Sequence, residues 1–246
     1  MDRPRPPLSF DERAVYLPAA ETLVIADVHL GRGEVSAVDA PIDAAERVVD
    51  RLDVLIGRFS PQTVVVAGDL LHSFTWVSRG VREAVDRLVA TVDDAHLVCT
   101  PGNHDTMVES VFDGETPSAY RLADGETVVC HGHEQPPSDE IESQDGPPAL
   151  YVIGHDHPAL SIDGRKHPCF LFGPGAYEHG DGPTADVLVL PAFSRLARGT
   201  KINARRANDF QSPLVTDVDG LYPIVRDETG DETLWFPPLG ESRRLL

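Results

Sequence analysis

The sequence has 246 residues and is 41% apolar, enough to bury a full core as one large domain or as one domain with an appendage. No apolar run approaches the ~20 residues needed to cross a bilayer, and the start does not resemble a signal peptide. The three cysteines show no paired spacing, which argues against a disulfide framework. We therefore expect a cytoplasmic protein without membrane contact. The net charge of −19 would ordinarily argue against a nucleic-acid partner.

The first half of the chain alternates strand-like and helical patterns. Two short apolar runs around Pro18–Glu21 predict an opening hairpin. Apolar residues then recur at helical spacing over Ala44–Ile56 and over Val81–Val92, with further strand-like runs between and after them. This order is typical of an α/β sheet. The predicted strands are Ala14–Leu17, Thr22–Ala26, Thr63–Ala67 and Leu97–Cys99.

The second half has many strand-like runs and little helical periodicity, which predicts a second, more antiparallel sheet packed on the first. Ser138–Pro148 is polar and Pro-containing and is interpreted as an exposed, mobile loop. Asp217–Leu239 is predicted to form a terminal hairpin. The strands predicted here are Glu126–Cys130, Ala149–Ile153, Ala159–Ile162, Cys169–Phe172 and Ala185–Leu190.

Six short clusters follow apolar runs, so their side chains are expected at the ends of strands, where α/β sheets bind ligands. Five of them carry Asp, His or Asn side chains, and the sixth is a Gly-Pro-Gly turn expected to shape the rim of the site. The clusters are Asp27-Val28-His29, Gly68-Asp69, Gly102-Asn103-His104-Asp105, Cys130-His131-Gly132-His133, Gly154-His155-Asp156-His157 and Gly173-Pro174-Gly175.

The chemistry of these side chains indicates a two-metal site. Asp27 and His29 are two residues apart and share one side of the strand end, as do His155 and His157. A carboxylate at Asp69 has two oxygens and can bridge two cations. The mixture of oxygen and nitrogen donors without a required thiolate favours Mn²⁺, Fe or Zn²⁺ at two adjacent positions. Such a pair acidifies a bound water and clamps a displacement at phosphorus.

His104 lies beside the predicted ligand Asn103 and is interpreted as a proton donor to the leaving oxygen, not as a ligand. Asp105 either orients His104 or caps the loop. His72 is a reserve candidate for orienting His104 or touching substrate, and Arg32 is either a phosphate contact or a solvated surface residue.

The types of charged residue indicate the salt concentration in which the protein works. Only two lysines stand against nineteen arginines, and 25 Asp outnumber 15 Glu. This composition resembles proteins of salt-loving archaea. In molar salt the Debye length is about 3 Å, so the acidic charge no longer excludes a nucleic-acid substrate.

The ordered clusters between Leu23 and Gly175 resemble the calcineurin-like metallophosphoesterase superfamily. The resemblance implies a four-layer α/β/β/α sandwich of two mixed sheets flanked by helices. We interpret residues 1–246 as one such domain, with a catalytic core at about 14–195 and an extension of unclear role at 196–246.

The resemblance also implies how the two divalent cations are held, with a hydroxide between them as the attacking group and His104 as general acid. One cation is assigned to Asp27, His29 and His157, with Asp69 as the bridge. The second is assigned to Asn103, His131 and His155. His131 is preferred over His133 because it stands directly at the strand end.

A narrower resemblance is to the archaeal SbcD-related phosphoesterases, carried by Leu23–Gly31, Gly68–His72, Gly154–Pro158 and Leu190–Phe193. It implies hydrolysis of phosphodiester bonds in DNA, RNA or a nucleotide. One alternative is a phosphomonoesterase acting on a small metabolite. The other is a non-catalytic protein-binding scaffold, and the retained ligands and His104 speak against it.

Overall fold

The first half of the chain builds a five-stranded sheet in the order β1-β2-β3-β4-β5. The computed structural model describes residues 6–32, 41–72, 75–141, 146–179 and 183–243. Strands β1 to β3 pair antiparallel, and β3, β4 and β5 run parallel. The elements are β1 (Ser9–Asp11), β2 (Ala14–Leu17), β3 (Thr22–Ile25), α1 (Pro41–Phe59), β4 (Thr63–Val66), α2 (Arg79–Thr91) and β5 (His96–Cys99).

The second half builds a seven-stranded mixed sheet in the order β15-β14-β11-β12-β8-β7-β6 and a small sheet in the order β10-β9-β13. Strands β7, β8 and β12 are parallel, and the outer strands are antiparallel. The elements are β6 (Ala119–Arg121), β7 (Thr127–Cys130), α3 (Ser138–Ile141), β8 (Leu150–Ile153), β9 (Pro158–Ile162), β10 (Arg165–Pro168), β11 (Phe170–Glu178), β12 (Thr184–Val189), β13 (Thr200–Lys201), β14 (Tyr222–Asp227), β15 (Glu232–Trp235) and α4 (Leu239–Ser242).

Three buried apolar clusters define the layers. Alternate residues of a strand point to opposite faces, so Leu23 and Ile25 of β3 face the two long helices while Val24 faces the other sheet. The apolar cluster between the sheets, called here the interlayer core, joins side chains of both. Its members include Val24, Val65, Val98, Val129, Val152, Phe172 and Leu188.

The outer face of the seven-stranded sheet is covered mainly by irregular chain. Leu214, Val218 and Leu221 pack on strand residues such as Tyr151 and Val187. The segment after residue 196 therefore supplies most of the fourth layer, and the two helices on this side, α3 before it and α4 within it, are only four residues long. The predicted α/β fold with two mixed sheets is confirmed, but its last layer is less helical than the resemblance implied.

Most strands and helices lie within a few residues of their predicted bounds, and the predicted terminal hairpin is β14–β15. The prediction of a turn at Gly173–Gly175 is wrong. These residues lie inside β11 at an irregularity in its pairing with β12. The backbone N–H of Gly175 donates to Asp186, which pairs with Leu150 at the start of β8, at the edge opposite the polar clusters.

The predicted loop Ser138–Pro148 begins as α3, and its residues 142–145 lie outside the described residues. Arg121, at the end of β6, donates to the carbonyls of Ile141 and Gly146, the described residues on either side of 142–145, and so connects both to the sheet. Among the described residues there is no helix long and apolar enough to span a membrane.

Candidate metal centre

The polar clusters meet because the loops after neighbouring strands continue to pair. The backbone N–H groups of Asp27 and His29 donate to the carbonyls of Gly68 and Asp69 at 3.0 and 2.8 Å. In the other sheet, the N–H of Gly154 donates to the carbonyl of His131 at 3.1 Å. A side chain at Gly68, where φ is +72°, would collide with the His131 ring, so this close approach requires glycine.

Left-handed backbone conformations are concentrated at this site. Five of the seven predicted ligands have positive φ, a conformation that costs a non-glycine residue about 1–2 kcal/mol. Such strain persists only where the surroundings over-determine it, and it clusters at functional sites. The five residues are Asp27 (+57°), His29 (+50°), Asp69 (+51°), His155 (+69°) and His157 (+46°).

The first predicted ligand group forms a compact cluster. One ligand atom from each of Asp27, His29, Asp69 and His157 lies within 4.8 Å of all the others. Nε2 of His157 is 2.9 Å from Oδ1 of Asp27 and 3.3 Å from Nε2 of His29. The set of two carboxylates and two imidazoles fits a divalent transition metal.

The second predicted group converges on Nε2 of His131. This atom lies 3.2 Å from Oδ1 of Asn103, 3.2 Å from Nδ1 of His155 and 3.5 Å from Oδ1 of Asp69. The other ring nitrogen of His131 faces the carbonyl of Ala67 at 3.1 Å, and a proton there leaves the Nε2 lone pair toward the group.

Asp69 joins the two groups through its two oxygens. Oδ1 faces His131, while Oδ2 lies 3.9 Å from Nε2 of His29. The backbone N–H of His104 also donates to Oδ1 at 3.0 Å, which fixes the carboxylate orientation. The loop at Gly102 packs against this carboxylate, because a Cβ there would fall 2.2 Å from Oδ1.

Burial sets the charge state of the donors. Burial lowers the pKa of His29 to about 3, and burial together with neighbouring His131 lowers the pKa of His155 to about 4. Both rings are therefore neutral near pH 7 and offer lone pairs. Burial and the neighbouring Asp27 carboxylate raise the pKa of Asp69 to about 8. Without a cation Asp69 would therefore be protonated near pH 7, and only a cation beside it would let both carboxylates ionise, so the donor set fits bound metal.

His104 lies at the open side of the site, with its side chain 23% exposed and Nε2 3.9 Å from Oδ2 of Asp69. Its Nδ1 lies 3.2 Å from the carbonyl of His72, and the two rings stack at 5.5 Å. His29, His72 and His104 also form a group of mutually close nitrogens. The structure therefore places His72 beside His104.

Asp105 is buried and serves the backbone. Its carboxylate accepts hydrogen bonds from the N–H groups of Leu70 (3.1 Å), Leu71 (2.8 Å) and Gly102 (2.9 Å). These contacts match the loop-capping alternative and lock the His104 loop to the Asp69 loop.

His133 and Arg32 lie at the margin. Nε2 of His133 is 3.7 Å from the exposed carboxylate of Glu134, and its ring centroid lies 5.2 Å from that of His131 and 6.1 Å from that of His155. Arg32 is half-buried and its N–H donates to the carbonyl of His29 at 3.2 Å, directly after the first ligand loop.

Sequence reasoning missed the support behind Asp27. The N–H groups of Phe193 and Ser194 donate to the carbonyls of Ala26 and Asp27, and this segment is in turn held by Arg13 and Arg51. The apolar Leu190–Phe193 motif marked the segment, but no sequence signal linked the two arginines to it.

Known proteins resemble this chain in family and in fold. A family model described as calcineurin-like phosphoesterase matches residues 21–189. The solved structure of the nuclease MPE from Pseudomonas putida aligns with a TM-score of 0.60 and 22% identity, over 87% of this chain and 88% of that one. Yfce, a phosphoesterase from E. coli, aligns with a TM-score of 0.43 and 16% identity, over 88% and 98%. No curated protein matches the chain.

Proposed function

Because the chain belongs to the calcineurin-like phosphoesterase family, whose members are metal-dependent hydrolases of phosphoester bonds, we propose that it is a dinuclear phosphodiesterase acting on nucleic acid or nucleotides. The observation that carries the proposal is the position of Asp69 between two ligand groups, with one carboxylate oxygen toward each. This position suits a carboxylate shared by two cations.

Asp27, His29 and His157 would hold one divalent cation and Asn103, His131 and His155 the other, with Asp69 shared. Bound there, the cations supply an acidified water and neutralise developing phosphoryl charge. Asp105 accepts hydrogen bonds from the loops that carry Asn103 and Asp69 and so fixes these two donors relative to each other before substrate binds.

His104 is the proposed proton donor. A proton on its Nδ1 donates to the His72 carbonyl, which leaves Nε2 facing the open side of Asp69. There Nε2, when protonated, is placed to give its proton to the leaving oxygen of a phosphoester. Capture of that proton makes the leaving group an alcohol or a sugar hydroxyl.

The openness of the site supports a diester substrate. Asn103 is exposed, and the side chains of His104 and His157 are 23% and 20% exposed. Such a site admits a phosphate flanked by a group on each side. The SbcD-related first motif, Asp27 to Gly31, is the further support for nucleic acid or a nucleotide.

Composition supports the setting of this reaction. The Asp-rich, Lys-poor acidic chain fits a salt-adapted archaeal protein, and its free, buried cysteines fit a reducing cytoplasm. Mn²⁺ is the proposed metal because carboxylate and amide oxygens suit it, and Fe or Zn²⁺, which imidazole donors suit, are the alternatives.

The test compares hydrolysis of bis-p-nitrophenyl phosphate with that of p-nitrophenyl phosphate, using Mn²⁺-loaded protein in molar KCl. The proposal predicts higher kcat/KM for the diester and loss of both activities with a chelator. Asp69→Asn protein purified in parallel controls for contaminating enzymes. Activity confined to the monoester would assign the protein to phosphomonoesterases instead.

A further inference from the structure

The segment Pro191–Ser194, which follows β12, supports the loop that carries Asp27. The N–H of Phe193 donates to the carbonyl of Ala26 at 2.7 Å, and the N–H of Ser194 donates to the carbonyl of Asp27 at 3.2 Å. These bonds act on the residue whose φ is +57° and whose carboxylate belongs to the first ligand group.

Two arginines hold this segment from behind. Nη1 of Arg13 donates to the carbonyls of Ala192 at 3.1 Å and Ser194 at 3.0 Å. Nη2 of Arg51 donates to the carbonyl of Phe193, and the Arg51 guanidinium carbon lies 4.1 Å above the Phe193 ring. Three consecutive carbonyls are thus bound by arginine, while the amides of Phe193 and Ser194 bind the Asp27 loop.

The backbone that presents Arg13 is strained. Asp11 pairs with Ala14, so Glu12 and Arg13 form a two-residue hairpin turn with φ of +44° and +72°. Turns of this shape strongly prefer Asn and Gly, because each other residue costs about 1–2 kcal/mol. Glu12 takes part as well, since its carboxylate accepts from Arg195 at 3.0 Å and lies 3.9 Å from Arg51. The contacts of this turn compensate its strain: Arg13 binds the Pro191–Ser194 segment, and Glu12 pairs with Arg51 and with Arg195, the residue after that segment.

We infer that Arg13 and Arg51 are positioning residues for the metal centre: through Pro191–Ser194 they hold Asp27 in its ligating conformation. The inference rests on the proposed function, because it assigns these residues to the first cation of that site. Both act through backbone and touch neither cation nor substrate.

The sign of the effect separates positioning from plain electrostatics. Removing a positive charge near a cation site strengthens cation binding if only Coulomb forces act. Removing a group that positions a ligand weakens it, typically 10- to 100-fold for residues behind the ligands. Loss of either arginine is therefore expected to weaken one Mn²⁺ site about tenfold.

The experiment titrates Mn²⁺ into metal-free protein in molar KCl by calorimetry, without substrate, and records the thermal midpoint of each variant. Arg13→Ala removes the donor to two carbonyls. Arg51→Met keeps an apolar contact with Phe193 and removes the other donor. Arg58→Ala is the matched control, because Arg58 pairs with Asp11 of the same hairpin at 2.6 Å and, among the described residues, makes no hydrogen bond or ion pair with Pro191–Ser194.

The expected result is two Mn²⁺ per wild-type chain, with one of the two sites weakened about tenfold in Arg13→Ala and Arg51→Met and both sites unchanged in Arg58→Ala. Arg13→Lys is expected to recover part of the loss, and it replaces Arg13→Ala if that variant does not fold. Unchanged or tighter Mn²⁺ binding in both variants would overturn the inference, as would equal weakening of both sites. Fewer than two Mn²⁺ in the wild type would instead overturn the proposed function, and the inference with it.

Discussion

The interlayer core and the metal centre lie on the same strands, a few residues apart, and are built in different ways. Val24 of β3 is fully buried among the apolar side chains of two sheets, in regular strand geometry. Asp27, three residues later, is equally buried but has a left-handed backbone and faces other ionisable groups. In the core, apolar side chains of similar size can replace one another. In the centre, particular donor atoms are needed, and several of them are held by strained backbone. Substitutions in the core should therefore cost stability, and those in the centre should cost activity.

The largest expected effect is that of Asp69→Asn in the metal centre, which should cost activity but not stability. The amide keeps the size and one acceptor oxygen but removes the shared negative charge. We expect kcat/KM on the diester to fall about 10⁴-fold, or about 5.4 kcal/mol of transition-state stabilisation, with a thermal midpoint no lower than that of the metal-free wild type. Diester kinetics and thermal unfolding measure the two quantities, and near-normal turnover would refute the bridging role.

The opposite case is Phe172→Ala in the interlayer core. Phe172 is 1% exposed and packs against Trp235 with ring centroids 6.2 Å apart. The cavity should lower the free energy of unfolding by about 4 kcal/mol, while kcat per folded molecule stays unchanged. Urea unfolding followed by active-fraction kinetics checks both. Phe172→Leu, a smaller change, controls for misfolding. A fall in kcat as large as that of Asp69→Asn would refute the distinction between a core that sets stability and a centre that sets activity.

His104→Ala separates proton transfer from metal binding within the centre. Its ring lies 3.9 Å from the Asp69 carboxylate, outside the first ligand cluster. We expect kcat to fall about 10²- to 10³-fold while two Mn²⁺ remain bound. The control is His96→Ala, a surface histidine at the start of β5. Loss of metal in step with turnover would move His104 into the ligand set.

The smallest expected effect distinguishes His131 from His133. His131→Ala removes a proposed ligand and should weaken one Mn²⁺ site by at least the 10- to 100-fold typical of residues behind the ligands, whereas His133→Ala should change it by less than about threefold. Metal titration of the two variants side by side gives the answer, and the reverse order would exchange their roles.

Regular structure was predictable wherever burial imposed a period. The β-branched run Thr63–Val66 and the helical stripe of α2 lie as predicted, because each has a buried face that selects its residues. Strand β10 was missed since Arg165–Pro168 is a polar edge strand with no buried face to read. Gly173–Gly175 was misread because glycine marks a turn and a strand irregularity equally well.

The convergence of the polar side chains could be predicted from sequence for a topological reason. Parallel strands end at one edge of a sheet, so the strand order alone predicts that donors after β3, β4, β5, β7 and β8 lie close together. The three backbone partners of Asp105 could not be predicted, because its two alternative roles fit the sequence equally well. Arg13 and Arg51 were invisible because their partners are carbonyls about 140 to 180 positions away, which carry no side-chain signature.

The most direct test of the account is electron paramagnetic resonance of the protein loaded with Mn²⁺, together with metal counting. A carboxylate shared by two cations about 3.5–4 Å apart couples their spins. The account predicts two Mn²⁺ per chain with an exchange-coupled spectrum that Asp69→Asn abolishes. One Mn²⁺ per chain, or two with uncoupled spectra, would contradict it.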